Sequence, residues 1–316
     1  MINRQVMPKA DKQPNLLEHL SNGLSVVLAE PWLILPPVIL DVLYLTVPSI
    51  SAKPLAGKIA DRADDRGGDA ATFARWLDNQ PAWDITRLPA QLNQSVVDGV
   101  GGSHVYRPFA EHSSGIGAWA VLPAALTSVV IGVIAFVAFA LWLARAAGYL
   151  EANDRGFRAL LIDRSIKGLA FVGFGVMVFA LAIAVMTAPL AFFGADGISG
   201  NSLIVTLSLI AMCLQVITMF SAEAIILDGL WPIAAIRASA NVVFRSFWSA
   251  LALLIISFAI SPGIFSLWKS LSANAGGLAI AIVLNGIVFA SLELAYLGFY
   301  RSRSEVTPLL SQPSRG

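Results

Sequence analysis

The spacing of charges constrains this chain more than any other feature. Five stretches contain no Asp, Glu, Lys or Arg: residues 113–144, 168–195, 197–222, 246–268 and 270–292. A sixth, residues 31–52, contains only Asp41. A helix crosses ~30 Å of hydrocarbon with about 20 apolar residues, so each stretch is long enough to span. Backbone groups in lipid have no water to bond, which leaves helices or a closed barrel. The runs are continuous, without the period of two that a barrel strand needs. The expected fold is therefore an all-α, polytopic transmembrane helical bundle with six spans, near 31–50, 118–143, 168–190, 202–226, 247–268 and 277–299.

Composition agrees with this. Of 316 residues 57% are hydrophobic and 13% charged, against about 25% charged in soluble domains. That leaves little room for a soluble enzyme of ordinary composition, and none for disorder, which needs low hydrophobicity and high charge. The net charge of +1 offers no basic surplus for nucleic acid. Cys213 is the single cysteine, so neither an internal disulfide nor a Cys/His zinc cluster is expected, and no cofactor is. The first thirty residues carry Arg4, Lys9 and Lys12 but no continuous apolar region after them. The expectation is no cleavable signal peptide, with the first span acting as an uncleaved signal.

Lys and Arg set the orientation. Arg145, Arg155, Arg158, Arg164, Lys167, Arg237, Arg245, Arg301, Arg303 and Arg315 fall on one side of the six spans, and the short loops opposite hold only Lys269. The basic side should be cytoplasmic and should carry both termini. The loop 51–115 is then outside; its seven Lys and Arg count little, because long loops escape the rule. The expected organisation is a cytoplasmic N-terminal segment (1–30), span 1 (31–50), an extracytoplasmic loop region (51–115), a five-span bundle (116–300) and a cytoplasmic tail (301–316).

Two segments outside the spans have helical periodicity. In residues 16–28, Leu16, Leu17, Leu20, Leu24, Val27 and Leu28 share a face opposite Glu18, His19, Asn22 and Ser25. The pattern suits a helix in the interface plane or one packed under the bundle. In 228–246, Pro232 suits a first helical turn, and Ile233, Ile236, Ala240, Val243 and Phe244 follow at helical spacing. This predicts a short cytoplasmic interfacial helix. The loop 51–115 reads as short surface helices broken at Gly67-Gly68, then irregular chain, too thin in apolar residues for a strong core of its own.

Ionisable groups inside a membrane are costly, so each is a candidate functional residue. Asp41 lies ~15 Å along span 1 at ~1.5 Å per residue, just after Pro36-Pro37. The prolines deprive the carbonyls of Trp32 and Leu33 of helical donors and predict a kink. A carboxyl beside such a break has the build of a transporter site, although burial favours the neutral acid, and a packing role is the preferred reading. Ala279, Gly286, Ala290 and Glu293 form a stripe in span 6, interrupted by Ile282 and Val283. Small residues let helices approach, so Glu293 should face the bundle, near Glu223, Asp228, Arg237 and Arg145. An ion pair at helix ends is its preferred role. Asn285 could bond across the bundle, and Pro262-Gly263 should kink span 5.

Outside the membrane the candidates are weaker. His104, Glu111 and His112 match no metal motif and read as surface residues. Asp61, Asp64, Asp65 and Asp69 lack an EF-hand pattern and alternate with Arg62 and Arg66, as on a solvated helix. Asn93-Gln94-Ser95 has only the form of a glycosylation site. There is no P-loop, nucleophile elbow or zinc-protease helix motif, so no catalytic residue and no metal site is expected.

Residues 30–45 (EPWLILPPVILDVLYL) and 221–255 (SAEAIILDGLWPIAAIRASANVVFRSFWSALALLI) carry a resemblance. In the second, an acidic residue, a short interfacial helix with Ser, an Arg-aromatic-Trp step and the next span follow one another. This resembles uncharacterised bacterial six-span membrane proteins similar to the membrane region attached to some glycerophosphodiester phosphodiesterases. The phosphodiesterase barrel and its acidic catalytic residues have no counterpart here, so the resemblance implies an architecture alone.

Three function classes follow. A non-enzymatic accessory or assembly component of a bacterial plasma membrane, with the bilayer and another membrane subunit as partners, is preferred, because spans so poor in polar residues make a poor conduit. A transporter or channel using Asp41 or Glu293 is the alternative. A membrane-embedded enzyme acting on lipid comes third and needs Glu223, Arg237 and Glu293 grouped and open to the headgroups.

Overall fold

The computed structural model describes residues 15–46, 50–51, 114–115, 118–150, 156–193, 200–271 and 274–304. Most of the loop 51–115, with its His104, Glu111 and His112, its acidic run and Asn93, lies outside the described residues, as do the first 14 residues and the tail after Ser304. The helices in chain order are α1 (Leu16–Ala29), a 3-10 turn (Pro31–Ile34), α2 (Leu35–Thr46), α3 (Ala118–Ala146), α4 (Phe157–Phe193) and α5 (Gly200–Ile217). A short helical segment (Ser221–Glu223) then widens into a π-helix (Ala224–Asp228), followed by α6 (Pro232–Arg245), α7 (Phe247–Leu271) and α8 (Ala275–Ser304). One two-residue parallel ladder pairs β1 (Ile50–Ser51) with β2 (Ser114–Gly115) and ties the ends of the long loop together.

Among the described residues, three helices are long and apolar enough to cross a membrane: Pro123–Ala146, Leu209–Asp228 and Ala275–Ser304. Two bent pairs raise the number to five if each is one span. These are Leu16–Ala29 with Pro31–Leu43, bent by 102°, and Pro232–Arg245 with Phe247–Ser257, bent by 103°. The helices are thus those of a membrane protein.

α8 is the hub. At ~1.5 Å per residue its 30 residues reach ~45 Å, longer than the ~30 Å of hydrocarbon. α1, α2, α3, α6 and α7 all pack on it. Its first half is covered on one side only: Leu278, Ala281, Ile282, Asn285 and Gly286 are buried, whereas Ala279 and Val283 are exposed. The stripe read from the sequence is therefore rotated, with Ala279 outside it and Ile282 within. From Phe289 to Tyr300 every residue is buried but the half-buried Tyr296, because neighbours close around this half.

Close backbone approaches hold the hub. A Cβ on Gly286 would meet Val38 and Ile34 of the α2 region, and one on Gly23 would overlap the Ser291 carbonyl oxygen. α1 accordingly docks through His19, Gly23 and Val27, spaced four apart. The leucine face is partly turned out, with Leu17, Leu24 and Leu28 exposed, while His19 is buried, contrary to its expected place on the polar face. Backbone proximity, open only to glycine here, outweighs side-chain hydrophobicity in choosing the docked face. α1 therefore packs on the bundle while presenting both an apolar and a polar surface outward.

The region before Asp41 also differs from expectation. Pro36-Pro37 does not kink a continuous helix; it lies in the first turn of α2, where missing N–H groups are harmless. The break falls earlier, at Glu30-Pro31. α7 runs on through Pro262. The helix α6 starts at Pro232 as its sequence predicts. Gly229 ends the π-helix at φ +66, and a Cβ there would collide with the Arg164 guanidinium.

A buried carboxyl pair and its surroundings

Glu223 and Glu293 come from different helices and meet in the core, within electrostatic reach of one another. They are 4% and 9% exposed. One oxygen of each, Glu223 Oε2 and Glu293 Oε1, is buried without a hydrogen-bond partner. The ion pairs recorded among the described residues join Asp163 to Arg164 and Lys167, and Asp228 to Arg301, so none reaches the pair. The helix-end ion pair expected for Glu293 is not what the structure contains.

Local structure explains the meeting. Glu223 stands one turn after Phe220, and Tyr296 stands one turn after Glu293. Phe220 packs against Tyr296 at 5.8 Å between ring centroids and stacks on Phe299 at 5.2 Å, which brings these turns together. Tyr296 donates its hydroxyl to Ser257 of α7 at 2.9 Å. The π-helix begins immediately after Glu223; such widenings frequently occur at functional sites. Ser239 of α6 fixes the start of this segment. Its hydroxyl accepts from the Phe220 N–H at 2.9 Å and donates to the Ile217 carbonyl at 2.7 Å.

The other candidates separate. Asp228 is nearer the helix end, where the Tyr300 hydroxyl donates to it at 2.6 Å and Arg301 lies 3.9 Å away. Arg237 is exposed, opposite the buried Pro232, Ala235, Ser239 and Val242 of its helix. It does not join Glu223 and Glu293. Asp41 and Asn285 are both buried, at 1% and 6% exposure. Their helices pack together, with Val38, one turn before Asp41, against Gly286. No family model matches the chain, and neither does any curated protein or solved structure.

Ser239, Ser257, Tyr296 and Tyr300 escape sequence reasoning. Hydroxyl residues are common in apolar helices, and only tertiary contact singles these out. Among the described residues, two cavities have linings that include neither Glu223 nor Glu293. One of about 200 Å³ is walled by apolar residues of α3, α4 and the segment 221–228, including Phe136, Phe171 and Ile226. The other, about 540 Å³, is lined by Glu30, Trp142, Arg145, Ala146 and Phe157. Among the described residues no group of three His, Cys, Asp or Glu is placed to hold a metal.

Proposed function

We propose that the chain is a multi-pass protein of a bacterial plasma membrane, with six spans and both termini cytoplasmic, and that it is a transporter whose coupling centre is the Glu223–Glu293 pair. The supporting observation is the pair itself: two carboxyl groups from different helices, buried together and, among the described residues, with no cation paired to them. Buried polar atoms are normally paired, and intramembrane carboxyls mark proton and ion pathways. Two carboxyl groups buried side by side titrate as one unit, so a proton gained or lost at one is felt at the other. The π-helix beside Glu223 and the break at Ser246 provide places where the helices can rearrange.

The test is electrical recording from reconstituted protein on a solid-supported membrane, challenged with a panel of cations and small solutes. Wild-type protein should give a transport current with at least one of them. Glu223→Gln and Glu293→Gln should each reduce it at least about tenfold, as expected when an obligatory proton carrier is removed. Currents unchanged in both variants would overturn the reading.

A second reading, an accessory component bound to another membrane subunit, is favoured by spans so poor in polar residues that they make a poor conduit. Native mass spectrometry would support it through a stoichiometric partner subunit in a protein that passes no current.

A further inference from the structure

The cavity of about 540 Å³ lies away from the carboxyl pair and brings opposite charges to one space. Arg145 occupies the last turn of α3, and Trp142 precedes it by three residues on the same face. Ala146 adds a small wall residue. Phe157, which opens α4, lies under the Arg145 guanidinium, 5.0 Å from ring centroid to Cζ. Glu30 faces the cavity from the corner where α1 turns into the 3-10 segment. No ion pair joins Glu30 and Arg145 among the described residues, and Arg145 Nε is buried without a hydrogen-bond partner. The fold thus holds a cation and an anion apart across a space of ligand size.

We infer that this cavity binds the headgroup of a zwitterionic phospholipid bearing a primary amine, with its phosphate on Arg145 and its ammonium on Glu30. A guanidinium supplies planar donors that match phosphate oxygens, and a stacked one is already oriented. A primary ammonium donates to a carboxylate, whereas a quaternary one has no N–H to give. Trp142 is 38% exposed beside Arg145. An amphipathic ring next to a basic residue at a helix end is the usual marker of the headgroup level. Arg145 also belongs to the basic side of the chain, so the lipid comes from the cytoplasmic leaflet. The inference rests on the membrane embedding proposed above and not on the carboxyl pair, so each can fail while the other stands.

The experiment titrates delipidated full-length protein in mild detergent with phosphatidylethanolamine, phosphatidylcholine or phosphatidylglycerol, and reads bound lipid by native mass spectrometry. Soluble phosphoethanolamine is titrated in parallel. Wild-type protein should prefer phosphatidylethanolamine to phosphatidylcholine by about tenfold, as one charge-assisted hydrogen bond allows. Glu30→Gln should abolish this preference while retaining both lipids. Arg145→Gln should weaken all three lipids by about tenfold or more, and Arg145→Lys less. Phosphoethanolamine competing at the concentration of the lipid would make the ligand a soluble phosphate ester and overturn the lipid assignment. Equal wild-type affinity for phosphatidylethanolamine and phosphatidylcholine would overturn the proposal without recourse to any variant.

Discussion

Ser239 is a small residue with a large local consequence. The chain turns at 218–220, where the Ser221 N–H bonds Thr218 rather than Ile217. This leaves the Ile217 carbonyl and the Phe220 N–H for the Ser239 hydroxyl, which serves both. Ser239→Ala removes a buried group that satisfies two others, a change that costs about 1–3 kcal/mol. Unfolding of the detergent-solubilised protein should register that loss, whereas Asn241→Ala, on the exposed face of the same helix, should stay within about 0.5 kcal/mol of wild type. Equal effects of the two would remove Ser239 from this role. Glu223 and Glu293 were legible in the sequence because a charge beside an apolar run is conspicuous. Ser239 was not, because Arg237, Ser239, Asn241 and Arg245 look alike along the chain until a partner helix selects one of them.

Among the elements, α1 shows how a legible helix can hide its contact face. The leucine spacing specified a helix over 16–28, and the structure has one at Leu16–Ala29. Its docking surface is nonetheless His19, Gly23 and Val27. Hydrophobic periodicity gives glycine no weight, although glycine alone permits the Gly23 backbone to approach Ser291 and Ala295 so closely. The same blindness moved the break before Asp41: two adjacent prolines drew the expected kink to 36–37, while the chain turns at Glu30-Pro31 and uses the prolines to start α2. Gly23→Ala places a methyl group into the Ser291 carbonyl, so α1 must separate from α8 or shift along it. Hydrogen exchange of amides 16–29 should then quicken by about tenfold or more, equivalent to at least ~1.4 kcal/mol of lost docking. Gly173→Ala is the control, since nothing lies within 4 Å of its Cβ position. Unchanged exchange in Gly23→Ala would mean that this contact does not hold α1.

At the scale of the whole molecule, the open matter is which side of the membrane each segment occupies. The ladder between Ile50–Ser51 and Ser114–Gly115 holds the end of the α2 region beside the start of α3, so both ends of the long loop lie on one side. That fits six spans; a re-entrant Leu16–Leu43 pair, the other form a 102° bend can take, would instead return the chain to the face it entered from. In the first arrangement the N-terminus is opposite the loop; in the second they share a face. Charge counting cannot separate the two, because it weights short loops and the segment 51–115 is long. Cysteine labelling can. With the exposed Cys213 replaced by Ser, single cysteines are placed at Asn15, His104 and Arg237 in turn, and intact cells are treated with a membrane-impermeant maleimide. The six-span reading expects labelling at 104 only, with 15 and 237 reacting after the cells are opened. Labelling at both 15 and 104 in intact cells would make Leu16–Leu43 re-entrant. It would put Asp41 in a hairpin dipping from the outer face. With the start of α3 held outside by the ladder, the basic end of α3 would still be cytoplasmic, so this outcome would overturn the span count and leave the charge rule for α3 intact.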